Sequence, residues 1–550
     1  MKKFLKPLVF IALAVAVAFV PLARAQAQNN LKPVAVISIN GLNEIFDDVT
    51  AVTKWAGVDG ATGFFLAAGR GLTTGLDQKR PNGAYVVMEN GEPKVVAFLP
   101  VTNLAAFLNI HKDRIGTPKD LGDGVLQLAG NPQTIYVKEQ AGWAFVAQDQ
   151  NQLTNLLQNP VELLAGLDKK YDIGIRFYIQ NIPAEIRDLA VSRLKDGYEA
   201  AMQQQSGQLD AQQRAAAEKL GQNSIKSLVQ LIEEADQVTI GLSIDAQEKQ
   251  IFLEGSATAK AGTELAGKMA LLADAKSAFT GFLIPEAAAT FNFSQKMAAD
   301  DVEQMLGMLK VAREQALKQI DNEAKLPDQN ARTAAKDIVG ALLDIVRDTV
   351  QKGKIDGGAA LVLDEDEVQF VAGGLVADGT KLESTLKKIV ELAKNEPDFP
   401  GIKFNADSHK GVSFHTIKVP IDDKDAAKIF GEELEIVIGT GKSSVFVGVG
   451  DDTITLLKEV IDNSIANGNK AVPPMQFSLS IRPILKFAAS VENNPQIAAL
   501  AAAAEAVEGN DHITVTAKPI ERGLSYRLEI EEGILKIFGE AAKSAQGGRL

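Results

Sequence analysis

The sequence predicts an internally duplicated α+β fold, in which each half is a curved antiparallel sheet built from hairpins with helices packed on one face. The first observation is a repeat: a Phe-Val pair, a polar turn and a Thr-x-Leu segment occur at residues 143–156 and again at residues 444–457. The second is that strand patterns come in pairs around short polar turns, which favours antiparallel pairing over βαβ crossovers. The third is a set of helical segments whose apolar residues recur at three-and-four spacing, so that each helix has one apolar face that is expected to pack against a sheet.

The N-terminus has the pattern of a secretory signal peptide over residues 1–27. Three lysines lie within the first six residues, an uninterrupted apolar run follows at residues 8–20, and small residues at 23–27 offer cleavage sites. The apolar run is too short for a comfortable membrane span, and no later segment reaches the required length. We therefore expect an exported protein of the periplasm, the extracellular space or the cell envelope, without a transmembrane segment after cleavage. An uncleaved N-terminal anchor is the alternative.

Two hairpins of the first half have counterparts in the second. The matched pairs are residues 83–99 with 358–372 and residues 238–253 with 513–528. In the earliest hairpin Asn90-Gly91 supplies the positive backbone angles of a tight turn. This correspondence predicts that both halves contain the same hairpins.

The beginnings of the two repeats match more faintly, residues 34–49 against residues 287–302. We place the boundary near Pro285, so that the first α+β repeat covers residues 28–285 and the second covers residues 286–550.

Helices are predicted between the sheet segments. Residues 302–312 and 339–350 each show one apolar face. Residues 194–220 are rich in Gln and Ala and predict a long, solvent-exposed helical arm, a mobile arm being the alternative. Threonines are expected to cap three helix starts, at Thr102, Thr263 and Thr380.

Composition excludes several classes of function. The absence of cysteine rules out disulfides, thiolate metal sites, a Cys nucleophile and a lipid-modified N-terminal Cys. The net charge of −13 falls to −17 once the four basic residues of the signal peptide are removed. Such an acidic chain repels phosphate backbones, and it contains no basic stripe, so nucleic-acid binding is not expected.

The four histidines do not form a zinc motif. His409 and His415 flank a predicted turn, with Asp407 the only obvious further ligand, and we expect both to be exposed strand residues rather than metal ligands. The remaining two are His111 and His512.

Two glycine-rich segments resemble phosphate-binding loops only in part. Residues 439–443, Gly-Thr-Gly-Lys-Ser, lack the required earlier glycine because Ile436 occupies that position, and they are predicted to form a hairpin turn. Residues 69–75 are predicted to form a flexible loop. No Gly-x-Ser-x-Gly elbow of a serine hydrolase is present.

Paired aspartates at residues 47–48, 300–301 and 451–452 could suggest a glycosidase or a calcium site. The first two pairs occupy equivalent places near predicted helix starts, where the helix dipole favours negative charge. The acidic segments 364–367 and 422–425 lack the ligand order of an EF-hand, which leaves a weak surface calcium site as the alternative. No catalytic, cofactor-binding or metal-binding residue is predicted.

Trp143 is the candidate contact residue. The chain has 24 Phe but only 6 Tyr and 2 Trp, so ring platforms of the kind that bind sugars are scarce. The counterpart of Trp143 in the second repeat is Ser444, and the shared fold therefore does not demand a large aromatic side chain there. We expect Trp143 to serve simple packing, and a half-exposed side chain with a contact role towards a ligand or partner is the alternative.

The segments 95–101, 136–138, 142–146 and 181–183 resemble a group of exported proteins of planctomycete-type bacteria. The resemblance covers nearly the whole mature chain. It implies export and brings no activity, because that group has no established catalytic motif to carry over.

The leading hypothesis is a non-enzymatic periplasmic or cell-envelope protein, a duplicated scaffold that binds an apolar ligand such as a lipid, or a protein partner of the envelope. Its sharper form predicts a contiguous apolar cavity lined from both halves. One alternative is a structural or assembly protein of the envelope with matching apolar patches. The other is a hydrolase of envelope polymers, which requires two acidic side chains facing each other across a cleft about 5 to 9.5 Å apart.

Overall fold

A computed structural model describes residues 31–58, 60, 62–129, 133–205, 211–322, 329–365, 367–394, 399–468, 470–507 and 510–547. The predicted signal peptide, residues 1–27, lies outside the described residues. The chain is 45% helical and 31% strand, with antiparallel strand pairing, which confirms the mixed helix-and-sheet class.

The chain forms two compact units. The first unit contains the described residues up to Asp196 together with Val229–Lys260 and Arg527–Lys543. The second unit contains Gly197–Leu228 and Ala261–Tyr526. The chain therefore returns to the first unit near its C-terminus.

The first unit is built on an antiparallel sheet. In order across that sheet its strands are β10-β9-β8-β1-β2-β3-β7-β6-β5-β4. Their bounds are β1 Ala35–Ile39, β2 Asn82–Glu89, β3 Glu92–Pro100, β4 Lys119–Asp120, β5 Val125–Leu128, β6 Ile135–Gln140, β7 Trp143–Ala147, β8 Ile173–Tyr178, β9 Ala235–Asp245 and β10 Gln250–Ala259.

Its helices lie mainly between these strands and after the last one. They are α1 Leu42–Trp55, α2 Thr62–Leu72, α3 Leu104–Ile110, α4 Lys112–Ile115 and α5 Leu167–Lys170. The longer helices α6 Ala184–Gln205 and α7 Ala211–Glu234 carry the chain between the units.

The second unit has a sheet of the same strand order, counted from β11. The order is β20-β19-β18-β11-β12-β13-β17-β16-β15-β14. The bounds are β11 Ala289–Lys296, β12 Lys354–Leu363, β13 Val368–Leu375, β14 Lys403–His409, β15 Val412–Pro420, β16 Glu433–Thr440, β17 Ser444–Val449, β18 Met475–Ser480, β19 His512–Ile520 and β20 Gly523–Glu531.

The remaining helices complete the chain. They are α8 Glu264–Ala270, α9 Ala299–Asn322, α10 Gln329–Val350, α11 Gly379–Ala393, α12 Lys424–Phe430, α13 Thr453–Asn467, α14 Ile481–Val491, α15 Pro495–Glu505 and α16 Glu532–Gly547. Within the described residues, every helix is either too short or too polar to cross a membrane.

Each unit has its own apolar core. In the first unit Phe98, Phe145 and Leu164 are fully buried, and in the second Phe282 and Phe446 are buried. Phe145 and Phe446 therefore occupy core positions in their hairpins, as the repeated motif predicts.

The predicted hairpins and turns are present. Asn90 and Gly91 have φ values of 54° and 80° between β2 and β3, the positive angles that the Asn-Gly pair predicts. The Gly-Thr-Gly-Lys-Ser segment joins β16 to β17, and the Gly441 amide donates to the Ser444 carbonyl. That segment is a hairpin turn rather than a phosphate-binding loop.

The flexible loop predicted at residues 69–75 is wrong over its first half, because α2 continues to Leu72. A Cβ on Gly69 would lie 3.2 Å from the ring of Phe46 in α1, so the absence of a side chain allows the two helices to approach closely. One glycine costs a helix only about 1 kcal/mol, and the packing against α1 offsets that cost.

Helix capping follows the prediction at one site of three. The Thr263 hydroxyl accepts a hydrogen bond from the Ala266 amide at the start of α8. At α3 the cap is Asn103, and at α11 it is Asp378. Asn103 directly follows the predicted Thr102, Asp378 lies two residues before the predicted Thr380, and both belong to the residue types that cap best.

The predicted arm at residues 194–220 is helical in its described parts, 194–205 and 211–220. The Tyr198 hydroxyl of α6 donates to the Glu218 carbonyl of α7 over 2.9 Å. The two helices therefore contact each other along this stretch.

Candidate functional site

Trp143 is buried, as the packing interpretation predicts, and the half-exposed alternative is wrong. Its side chain is 1% exposed because β7 is an interior strand between β3 and β6. The indole packs edge-on against Phe98, with ring centroids 5.6 Å apart, and the Arg80 guanidinium lies 3.8 Å from its ring centroid. A contact role for Trp143 stays a prediction, but the ring is covered in this structure.

His415 is also buried, in contrast to the predicted exposure. Its Nδ1 accepts a hydrogen bond from the Asn405 amide, and its Nε2 lies 3.0 Å from the Thr440 hydroxyl. Burial lowers the pKa of His415 and keeps its ring neutral. His409 instead lies 2.9 Å from Asp462, and the described part of the chain contains no group of three potential metal ligands.

The most apolar exposed surface of the first unit is on α2. We call the side chains of Phe64, Phe65 and Leu72 the α2 surface. Phe64 is 78% exposed, and no residue of α2 is buried. The Phe64 and Phe65 rings touch edge-on with centroids 5.8 Å apart, which holds the two side chains together in solvent.

The polar end of α2 is fixed to α1. The Arg70 guanidinium lies 4.9 Å from the Phe46 ring centroid and donates to Asp47 and Asn43 at 3.2 and 3.1 Å. These contacts hold one end of α2, while the end that carries the phenylalanines extends free of them.

A second exposed phenylalanine lies on α16, which also packs against α1. Ile534 and Ile537 are buried on one side of α16, whereas Phe538 is largely exposed on another. A Cβ on Gly539 would overlap the carbonyl oxygen of Ala56 at the C-terminal end of α1. Exposed aromatic rings are therefore carried by both helices that flank α1.

The first unit also has an open, mainly polar cleft of about 300 Å³ between α1, α5 and the β9–β10 turn. Four acidic and two basic side chains line it: Glu44, Asp48, Asp172, Asp245, Lys169 and Lys170.

Two aspartates in this cleft are in direct contact. Asp48 and Asp172 are each 7% exposed, and burial together with the neighbouring Asp172 raises the pKa of Asp48 to about 7. Glu44 and Asp47 raise it further. Because two adjacent buried carboxylates cannot both ionise cheaply, Asp48 retains its proton up to a pH near 7.

The surroundings of the pair leave one oxygen without a donor. Asp172 Oδ2 accepts a hydrogen bond from the Ile244 amide over 2.6 Å. Asp48 Oδ2 is buried and has no hydrogen-bond partner among the described residues. No cationic side chain of the described chain forms an ion pair with either aspartate.

The wall of the cleft is held by a second buried carboxylate, Glu254, which is 4% exposed. Glu254 accepts from Lys170 Nζ, from the Tyr171 hydroxyl at 2.6 Å and from Arg527 Nη2 at 2.7 Å. Burial alone would raise the pKa of Glu254, but these three donors outweigh it and lower the pKa to about 2. Arg527 also stacks on Phe252 at 4.1 Å from the ring centroid.

The aspartate pairs noted in the sequence have separate explanations. Asp300 and Asp301 lie in the first turn of α9 and contact Lys268, as the helix-dipole interpretation predicts. Asp48 lies in the second turn of α1, where the dipole effect has faded, and faces the cleft instead. Sequence reasoning missed Asp172 and Glu254, because neither stands in a motif and only the fold brings them to Asp48 and Lys170.

The contact between Asp48 and Asp172 does not match the carboxylate hydrolase described above. Glycosidases keep their carboxyl groups about 5 to 9.5 Å apart to admit a sugar or a water, whereas Asp48 and Asp172 are buried next to each other.

No protein-family model matches the chain, and comparisons with curated proteins and with solved structures find no significant match.

Proposed function

We propose that this chain is a non-enzymatic exported protein of the periplasm or cell envelope, a duplicated scaffold that binds an apolar ligand or protein partner through the α2 surface. The observation that carries the proposal is that Phe64 is 78% exposed on a helix without a single buried residue.

The energetics favour an occupant for this surface. Burying one fully exposed phenylalanine side chain contributes about 1.5 to 3 kcal/mol. Because Phe64 is 78% and Phe65 only 36% exposed, the two together offer about 2 to 3 kcal/mol to a partner. An 11-residue helix is marginal by itself. Within the described residues, the contacts of α2 with α1 given above lie at its polar end, at Gly69 and Arg70. A helix anchored at one end, with its apolar side chains outside the core, is suited to docking rather than to stabilising its own unit.

We infer that the two halves arose by duplication. The shared order of strands in the two sheets supports this, as do Phe145 and Phe446 in equivalent core positions. In each half two helices lie between the first two strands, and the second of these helices is buried to a different extent in the two halves. In the second half that helix is α10, which buries Ile338 and Ile345, whereas α2 buries none of its residues.

The comparison of α2 with α10 supports a specialised first half. The same place in the repeat serves the core in one copy and is left open to solvent in the other, which is expected when one copy has acquired a binding role.

Export and membership of the planctomycete-type group are part of the same proposal. They rest on the signal-peptide pattern at residues 1–27 and on the sequence resemblance. N-terminal sequencing of the protein from its native host tests export: a mature terminus between residues 24 and 28 supports it, and an intact Met1 contradicts it.

Site-specific photo-crosslinking tests the docking role. A benzophenone amino acid at position 64 is expected to form an adduct in intact cells, with either a lipid or a protein. Position 465 is the matched control, because Ile465 is 64% exposed but stands alone on α13 of the second unit.

The identity of the adduct separates the candidates. A lipid adduct identifies an apolar ligand, a second protein identifies a partner, and an adduct with the same chain favours the assembly role. If position 64 gives no more adduct than position 465, the α2 surface is not a docking surface.

A further inference from the structure

We propose that the acidic cleft of the first unit binds a primary ammonium group, carried by a small diamine or by a lysine side chain. This site is separate from the α2 surface, and the proposal does not depend on the function proposed above.

The first step is the unbalanced charge in the cleft. Asp48 and Asp172 touch each other below the surface, and neither forms an ion pair with a described cationic side chain. Two buried carboxylates in contact require either a shared proton or a cation between them. The cleft therefore contains a place that attracts positive charge and that the chain leaves unfilled.

The second step is that Lys170, a lysine close in sequence to Asp172, pairs with a different carboxylate. Lys170 lines the cleft, but its Nζ bonds Glu254, which also receives Tyr171 and Arg527. Lys169 is exposed at the rim. The protein thus fixes its own lysine to a different carboxylate and leaves the aspartates available.

The third step is the buried oxygen that lacks a donor. Asp48 Oδ2 belongs to a side chain that is 7% exposed, lines the cleft and has no hydrogen-bond partner in the described chain. A buried acceptor without a donor costs about 1 to 3 kcal/mol, and more when it is charged. An N–H donor from a ligand would remove that cost.

The fourth step selects the kind of cation. The described residues contain no group of three metal ligands, which argues against a divalent ion. A guanidinium fork needs a carboxylate with both oxygens free, but Asp172 Oδ2 is already occupied by the Ile244 amide. An ammonium donates three separate hydrogen bonds, and Asp48, Asp172 Oδ1 and Glu44 offer single acceptors.

The volume agrees with a small ligand. About 300 Å³ is at the lower end of small-molecule sites and accommodates an alkyl chain of a few carbons with its ammonium head. Asp245 at the rim adds a carboxylate for a second positive charge, which favours a diamine or a charged peptide segment.

Binding exchanges one cation for another. Below about pH 7 the ligand enters as an ammonium ion and the proton on Asp48 leaves to solvent, whereas at pH 8 Asp48 is mostly ionised and the ammonium binds without releasing it. The groups that face this exchange are Glu44 on α1, with Lys169, Lys170 and Asp245 on the opposite walls; Asp47, also on α1, adds its charge. The pKa of Asp48 is raised to about 7, so a proton on Asp48 competes with the ammonium ion below that pH.

Calorimetric titration of the full mature chain tests the proposal. The probes are 1,5-diaminopentane and Nα-acetyl-lysine methylamide, with 1,5-pentanediol as the uncharged control. We expect saturable binding of at least one amine at pH 8, no binding of the diol, and affinity lower by roughly 30-fold at pH 5.5, because a proton with a pKa near 7 competes there.

The variant Asp48→Asn is expected to weaken amine binding at least about tenfold, as loss of a hydrogen bond to a charged group predicts. The matched control is Asp301→Asn, which changes the equivalent position of the second repeat, an exposed carboxylate bound to Lys268. Circular dichroism verifies that both variants are folded.

The two amines distinguish the sources of the ammonium. Binding of the diamine alone identifies a free diamine, and binding of the lysine derivative identifies a protein side chain. The proposal is overturned if neither amine binds at pH 8, if Asp48→Asn binds as well as Asp301→Asn, or if calcium displaces the amine with higher affinity. Phe64→Ser removes the α2 surface and is expected to leave amine binding unchanged, so this test is separate from that of the docking role.

Discussion

Replacing Asp48 by Asn should make the first unit more stable at neutral and alkaline pH. In the wild-type chain, folding raises the pKa of Asp48 from 3.8 to about 7, mainly because the carboxyl group is buried and Asp172 is its neighbour. A folded-state pKa above the unfolded value means that the folded chain binds more protons. Stability that depends on Asp48 is therefore fully present below pH 4 and decreases as the pH rises towards 7.

The size of the effect follows from the shift. About 3 pKa units correspond to about 4 kcal/mol, and because Asp172 shares the proton we expect the observed difference to be about 2 to 4 kcal/mol. Asn carries no charge and donates an N–H to Asp172 at every pH. Asp48→Asn should thus match the wild type below about pH 3.8, exceed it by about 1 kcal/mol at pH 4.5 and exceed it by the full amount at pH 8.

The assay is urea unfolding at a series of pH values, followed by tryptophan fluorescence. Both tryptophans of the chain, Trp55 on α1 and Trp143 on β7, belong to the first unit, so the signal reports that unit alone. Asp301→Asn serves as the control, because Asp301 is exposed and paired with Lys268. If Asp48→Asn and the wild type lose stability in parallel between pH 4.5 and 8, the raised pKa of Asp48 is refuted.

Three further substitutions probe the same unit. Glu254→Gln should lower the free energy of unfolding by about 3 kcal/mol at pH 7, because the pKa of Glu254 falls from 4.5 to about 2 on folding. The stabilisation by Glu254 is present above pH 4.5 and is lost as the pH falls towards 2. An unfolding free energy of the variant that lies as far below the wild type at pH 2.5 as at pH 7 would contradict this. Gly539→Ala should destabilise the unit by about 1 to 3 kcal/mol, because its Cβ would overlap the Ala56 carbonyl, and a thermal midpoint equal to the wild type would show that α16 does not pack there. Trp143→Ala should lower the free energy of unfolding by about 3 to 5 kcal/mol because the side chain is buried, and Trp143→Phe should lower it clearly less. If both variants lower the thermal midpoint equally and only slightly, Trp143 does not stabilise the core and a contact role is favoured.

Much of the strand organisation could be predicted from the sequence. Alternating patterns around short turns are local signals, and Asn90-Gly91 specifies its turn through backbone angles alone. The α2 helix was missed because glycines at 69 and 71 resemble a loop when their neighbour Phe46 is not known to lie against them. The burial of Trp143 could not be read from the sequence for the same reason. Trp143 and Ser444 differ in size, but how far the side chain of Trp143 is buried depends on the strands on either side of β7.

The cleft could not be predicted, since its chemistry is a product of long-range contacts. Asp48 and Asp172 are far apart in sequence, and Glu254 meets Arg527 only because the chain returns to the first unit. A carboxylate in a helix pattern carries no local sign of whether it will face solvent or another carboxylate. The one available signal was the position of Asp48 beyond the first turn of its helix, where the dipole no longer accounts for it.

The late return of residues Arg527–Lys543 to the first unit bears on how the protein is made. As the chain emerges from a ribosome or an export channel, residues up to Lys260 appear early, but Arg527 and α16 appear only near the end of synthesis. Until then Glu254 lacks its guanidinium partner and the end of α1 is uncovered. The first unit therefore has to wait for the C-terminal segment before it can be completed, and a product that ends directly before residue 527 lacks Arg527–Lys543 of the first unit while it still contains Ala261–Tyr526 of the second.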